Sequence, residues 1–196
     1  MDINSFIANF QGGARANRFK VILSFPFEVA SNISLNATVG AVVGPVALGT
    51  SINNGSPAVT FQYMCKAASL PSSNVNSIDV PYMGRSFKVA GDRTFDDWNV
   101  TITNDENFVV RNAFEKWMNA INSHVGNVRT PTTNGYYADA EVYQLSTTNA
   151  VLKKYKFHNI FPTNMSDISV GFDQNDTIEE FTVNFAVTYW TTDTTN

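Results

Sequence analysis

Cysteine, histidine and charge are all scarce in this 196-residue chain. Its one cysteine, Cys65, excludes an internal disulfide, so burial and backbone pairing must hold the fold. Only 15% of residues are charged, against about a quarter in ordinary soluble domains. The balance of 13 Lys and Arg against 17 Asp and Glu leaves a formal charge of −4, which argues against a clamp that neutralises nucleic-acid phosphates. No apolar run approaches the roughly 18 residues of a membrane span. Met1-Asp2-Ile3-Asn4-Ser5 has neither a positive start nor an apolar stretch, so no secretory signal is expected. The two histidines, His124 and His158, show no ligand spacing with Cys65 or with a carboxylate cluster. Gly12-Gly13 and Gly91 match neither phosphate-binding fingerprint. The pairs Asp96-Asp97 and Glu179-Glu180 are strand neighbours, which point to opposite faces and cannot easily share a substrate. Cys65 therefore reads as a small core residue, and neither an enzyme, a cofactor nor a metal site is expected.

What is abundant points to β structure. The chain has 15 Phe, 7 Tyr and 3 Trp, with many Thr and Asn. Aromatic and β-branched residues suit a pleated, half-buried surface, while Asn and Gly suit the turns between strands. A surface that is polar but weakly charged fits a protein that spends much of it on copies of itself.

Alternating apolar positions predict strands over Arg18 to Phe25, Val59 to Lys66, Trp98 to Thr103, Ala138 to Leu145 and Phe181 to Tyr189. Ile78 to Tyr82 and Arg85 to Ala90 are shorter candidates around Met83-Gly84, followed by an expected turn at Gly91-Asp92-Arg93. Val151 to Phe161 is a further strand, expected to end at Pro162 and joined to its predecessor by a Ser146-Thr147-Thr148-Asn149 turn. Val110, Ala113, Phe114, Trp117, Met118 and Ile121 form the one strong helical stripe, with Asn104 or Asp105 as a candidate cap. These elements predict a mainly β, antiparallel sandwich or barrel-like domain with one amphipathic α-helix, occupying 1–196 as a single unit. Within it, 28–58 is rich in Gly and Pro and uncharged after Glu28, the pattern of a long hairpin or insertion. Residues 191–196 are a polar tail expected to be flexible.

One run is more specific than any periodicity. Ala68-Ser69-Leu70-Pro71, Val80-Pro81-Tyr82-Met83-Gly84-Arg85 and Lys88-Val89-Ala90-Gly91-Asp92-Arg93-Thr94-Phe95-Asp96-Asp97-Trp98 closely resemble the tail tube proteins of T4-like contractile-tailed bacteriophages. Asn104-Asp105-Glu106 before the helix, Phe161-Pro162-Thr163-Asn164 and the Phe181 to Trp190 strand agree, so the resemblance covers nearly all of the chain except 28–58. The resemblance implies a structural virion protein. Six copies would form a homo-hexamer ring, four strands from each joining a 24-stranded β-barrel, and rings would stack helically into a tail tube. The implied partners are the tail sheath protein, a tape-measure protein in the lumen, and baseplate and tube-terminator proteins, with transient non-specific passage of double-stranded DNA. Synthesis in the host cytoplasm and a final place in the virion follow from the same resemblance.

Two sets of residues become candidates on that basis. Arg85, Lys88, Asp92, Arg93, Asp96 and Asp97 are candidates for the ring-stacking or subunit interface. The alternative is local: Asp92 holding the Gly91 turn and Arg93 pairing within one subunit. Thr182, Asn184 and Thr188, on the polar face of the last strand, are candidates to line the lumen; an outer solvated face is the alternative. Related readings are a baseplate or terminator relative, the tube of a phage-like injection machine, or, in another class, a β-sandwich binding module using 28–58.

Overall fold

A computed structural model describes residues 2–10, 13–26, 56–129 and 135–195. The proposed insertion 28–58 therefore lies outside the described residues except for its last three positions. In chain order the elements are α1 (Ile3–Phe10), β1 (Phe19–Leu23), α2 (Pro57–Met64), β2 (Cys65–Ala68), β3 (Ser73–Tyr82), β4 (Arg85–Phe95), β5 (Trp98–Thr103), α3 (Val109–Ile121), β6 (Ala138–Leu145), β7 (Val151–Met165), β8 (Glu180–Ala186) and β9 (Tyr189–Thr192). All strand pairings are antiparallel.

The sheet follows the order β1-β6-β7-β8-β5-β2, with β9 also on β7. The long strand β7 is the corner. Its first half pairs with β6 and β9, its second half with β8. At the crossing Asn159 takes a left-handed φ of 52°, and the register slips by a bulge that re-aims the strand. Alternation then places one face of each half inward. Trp98, Val100 and Ile102 of β5 meet Phe181, Val183 and Phe185 of β8, all buried, against Ala140 and Val142 of β6 and Phe157 and Ile160 of β7. Trp98 stacks on Phe157 with ring centroids 4.6 Å apart and packs against Phe185 at 5.2 Å.

Helix α3 closes one end of this core. Its stripe buries Val110, Ala113, Phe114 and Trp117, and the Trp117 indole donates to the Tyr136 carbonyl at 2.8 Å. Phe108, in left-handed conformation, holds the N-cap position without a side-chain bond; Asp105 instead accepts from the Val109 N–H through Oδ2 at 3.3 Å.

Four expectations are corrected. Val59 to Lys66 is not a strand: Pro57 starts helix α2, with its fixed φ at the first turn, and the chain extends only from Cys65. Eight residues with apolar groups at alternate positions also fit a helix that buries an i, i+4 pair, here Pro57 and Phe61, with Tyr63 left exposed. Phe61 is held edge-on by Phe25 and Phe114 at 6.4 and 6.0 Å, so packing decided the period. With α1 this makes three helices among the described residues, not one.

Pro162 does not end β7, which runs on to Met165. Past Ile160 only β8 pairs with it, so the missing N–H falls on an edge beside a register shift, where proline is tolerated. The turn expected at Gly91-Asp92-Arg93 is instead inside β4, at a bulge opposite Asn76. A Cβ on Gly91 would lie 3.0 Å from the Asn76 carbonyl oxygen and 3.2 Å from Ile78 Cγ1, which explains the glycine.

Finally, the last strand is broken after Ala186. The chain crosses to the other half of β7 and resumes as β9, so Tyr189 leaves the core face. Within the segment 191–196, Thr191 and Thr192 pair with β7 and Lys153 reaches Asp193 at 3.1 Å.

Candidate functional site

The family-signature segment forms a structure of its own. β3 and β4 pair along their whole length as a two-stranded hairpin, almost every residue of which is exposed. At its tip Met83 (φ 44°) and Gly84 (φ 83°) both take positive φ, the conformation that closes a two-residue hairpin with the strands' own twist. Residues directly opposite each other share a face, as do residues two apart. Ile78 with Val89, Val80 with Phe87 and Tyr82 with Arg85 therefore make one face. Ser77 with Ala90, Asp79 with Lys88 and Pro81 with Ser86 make the other. The first face is apolar and in water: Phe87 is 67% exposed and Met83, at the tip, 88%.

Two tryptophans pin the hairpin's root to the body. Trp98 Nε1 donates to the Ser69 carbonyl at 2.9 Å, and Trp190 Nε1 to the Ser72 carbonyl at 3.1 Å. Trp190 also meets Phe95 edge-on at 6.1 Å. Asp96 accepts from the Ser72 hydroxyl at 2.6 Å and from the Asn74 amide, tying the two strands together where they leave the core.

The six charged candidates thus divide. Asp96 is engaged at the root, and Lys88 pairs with Asp79 at 3.7 Å on the polar face. The side chains of Arg85, Asp92, Arg93 and Asp97 have no hydrogen-bond or ion-pair partner among the described residues, and Asp92 lies within β4. Sequence reasoning singled out these charges and missed the apolar stripe Ile78, Val80, Tyr82, Phe87 and Val89. Its signal was present as alternation on both sides of Met83-Gly84.

The polar face of β5 and β8 lies across the sheet from the core. In register, Asn99 faces Asn184 and Thr101 faces Thr182, a ladder without charge, bordered by the Lys66–Glu180 ion pair at 2.6 Å. Thr182 and Asn184 thus share one surface. Thr188 is not on that strand: it sits in the bend before β9, where its hydroxyl donates to the Asn159 carbonyl at 3.1 Å. Among the described residues β1 and β2 each pair on one side only, and they flank an apolar groove of about 970 Å³ lined in part by Phe19, Ala67, Ala68, Leu70 and Tyr155.

Burial pushes the Cys65 thiol up to about 12, which keeps it protonated and unreactive at neutral pH. His158 stacks on Tyr189 at 4.6 Å, with Nδ1 3.6 Å from Asp139 and Nε2 3.1 Å from the Thr191 hydroxyl. On the outer side of β6 and β7, burial works to raise the Glu141 carboxyl, but hydrogen bonds from Tyr143 and Lys154 prevail and hold it below its ordinary value. Among the described residues no three of His, Cys, Asp and Glu converge as a metal ion would require.

Comparison with known proteins agrees along most of the chain. The family model described as phage tail tube protein matches residues 14–193. The chain is 36% identical over 132 residues to the tail tube protein gp19 of Enterobacteria phage T4, covering 66% of this chain and 80% of that protein. It is 26% identical over 112 residues to the tail tube protein of Serratia phage KSP90, covering 57% of this chain and 63% of that protein. In fold it is similar to the tube-terminating cap of the anti-feeding prophage (TM-score 0.60, 18% identity, 93% of this chain and 91% of that one). It is also similar to a chain of the PVC extracellular contractile injection system's sheath–tube complex in the extended state (TM-score 0.52, 14% identity, 98% of both chains). The chain belongs to the phage tail tube protein family and is a structural subunit of the tail tube.

Proposed function

We propose that copies of this chain close into homo-hexameric rings that stack helically into a tube, with strands from each copy joined edge to edge in a continuous 24-stranded β-barrel. The observation that carries this reading is the hairpin, whose apolar face is exposed and has no partner among the described residues. A two-stranded ribbon is marginal alone in water, and apolar patches of this kind mark interaction surfaces. The free edges β1 and β2 offer backbone donors and acceptors for ring closure, a liability in a monomer and a joint in an assembly. Arg85, Lys88, Asp92, Arg93, Asp96 and Asp97 then sit at or near contacts between copies, Asp96 by fixing the hairpin root.

The lumen reading assigns Thr182 and Asn184, with Asn99 and Thr101, to the channel wall, and Thr188 to its rim. A wall of amides and hydroxyls suits a conduit for double-stranded DNA, because a basic wall would release counterions and hold the polymer. On this reading the tube works without catalysis, is made in the host cytoplasm, and meets a tail sheath protein outside, a tape-measure protein inside, and baseplate and terminator proteins at its ends. Electron microscopy of the purified chain over a range of concentrations tests it. Six-fold rings or stacked tubes with a central channel are expected. A stable small oligomer with no channel would refute it.

A further inference from the structure

The root of the hairpin and a second exposed surface lie at opposite ends of one strand. β5 begins at Trp98, whose indole holds the hairpin root, and ends at Thr103, which pairs with Glu180 at the start of β8. Just beyond, the Asn104 N–H donates to the Glu179 carbonyl at 2.8 Å, so the β7–β8 connection, residues 166–179, sits at the far end of the same sheet, about 20 Å away at roughly 3.3 Å per residue.

That connection has the composition of a receptor. Val170, Phe172 and Ile178 are all exposed, Phe172 fully. Its charges are Asp167, Asp173, Asp176 and Glu179, with no Lys or Arg. Glu179 is engaged by the Asn104 amide at 2.8 Å. The side chains of Asp173 and Asp176 have no partner among the described residues. Arg111, which donates to the Ser166 carbonyl at 3.4 Å, is already paired with Glu115 at 3.2 Å. The hairpin tip is the complement: the apolar side chains Tyr82, Met83 and Phe87, with the unpaired Arg85 on the same face as Tyr82 and Phe87.

We propose that the apolar face at the tip of the β3–β4 hairpin of one copy docks on the acidic, apolar β7–β8 connection of the next copy along the strand direction, Arg85 meeting Asp173 and Asp176. The two surfaces differ, and the hairpin's root and the connection lie at opposite ends of β5, so the contact is head to tail and repeats without closing, which is the geometry of an open stack. Exposed apolar residues at both ends of the subunit leave water together, and the charges fix the register. This rests on the tube-subunit reading and names the surface that receives the hairpin.

The test is a cross-link with a charge swap, in full-length chain. Two preparations, one Met83→Cys and one Phe172→Cys, are mixed during tube assembly and oxidised. The expected result is a disulfide-linked dimer that forms only in the mixture and only under assembling conditions. Asp173→Lys with Asp176→Lys should lower the yield of tubes about tenfold, and adding Arg85→Glu should restore most of it, because like charges opposed across a contact are strongly unfavourable. Tubes that form without the cross-link overturn the pairing, as do tubes unaffected by the loop reversal. A loop reversal that blocks assembly but is neither rescued by Arg85→Glu nor accompanied by the cross-link also overturns it, and gives the loop to another surface. If the unaltered chain forms no rings or tubes at any concentration, the tube reading itself falls, an outcome distinct from these.

Discussion

Phe87→Ser should uncouple assembly from folding. Phe87 is 67% exposed and its cross-strand neighbour is Val80, on a hairpin that does not pack on the core. Losing that neighbour costs about 0.2–1 kcal/mol within the hairpin, and global unfolding of the body should change by less than about 0.5 kcal/mol. The assembled state loses far more. A phenylalanine offers roughly 200 Å², so about two-thirds of it, on the order of 130 Å², leaves water when a neighbour covers this face. At about 25 cal/mol per Å² that burial contributes about 3 kcal/mol per copy as an upper value. Each 1.4 kcal/mol is a factor of ten, so the concentration needed for tube formation should rise by about 30- to 100-fold. The assay is sedimentation of tubes against total protein, beside urea unfolding by tryptophan fluorescence at concentrations too low to assemble, since association would otherwise stabilise the fold. Tubes at the unaltered concentration would show that this face stays in water, and the argument for the hairpin would collapse. A large fall in the urea midpoint would instead show that the hairpin is part of the core.

Trp98 behaves in the opposite way, because it is buried between Phe157 and Phe185. Trp98→Ala should cost about 3–5 kcal/mol, and Trp98→Phe, which keeps the stacking and loses the bond to Ser69, about 1–2 kcal/mol; calorimetry should show Tm falling about 2–4 °C for each kcal/mol lost. Glu141 gives the pH dependence. Its folded value lies below its unfolded one, so its contribution is fully present above about pH 4.3 and is lost as pH falls through the lowered folded value. Urea midpoints measured from pH 6 to pH 3 should fall less steeply in Glu141→Gln than in the unaltered chain, and equal slopes would remove the Tyr143 and Lys154 bonds as the cause.

Where one face of an element meets one partner, the amino-acid pattern is enough to read it. β5, β6 and α3 were legible because alternation or a helical stripe maps directly onto a single buried face. α2 was not, since its identity depends on Phe61 reaching Phe25 and Phe114 from distant parts of the chain. Pro162 misled for a related reason. Proline forbids a ladder bond only where a neighbour exists to receive it, and whether β7 is an edge at that point is a property of the sheet. The break after Ala186 belongs to the same class: Val187 to Tyr189 continue the alternation in sequence while the chain changes partner.

The assembly surfaces show the same division with a further step. Charged residues in the signature run drew attention as candidates, yet Asp96 ties the hairpin root and Lys88 pairs across it, so two of the six are committed within the chain. What remains is a stripe of Ile78, Val80, Tyr82, Phe87 and Val89, ordinary strand residues whose meaning changes because no described residue covers them. Phe172 and Ile178 are exposed apolar residues in a loop that β5 places at the far end from the hairpin's root. An apolar residue on a strand signals burial, but the sequence does not say in which molecule. On the stacking proposal, the answer is the next copy. The same residues that would make a soluble monomer sticky then become the reason a stack grows in one direction.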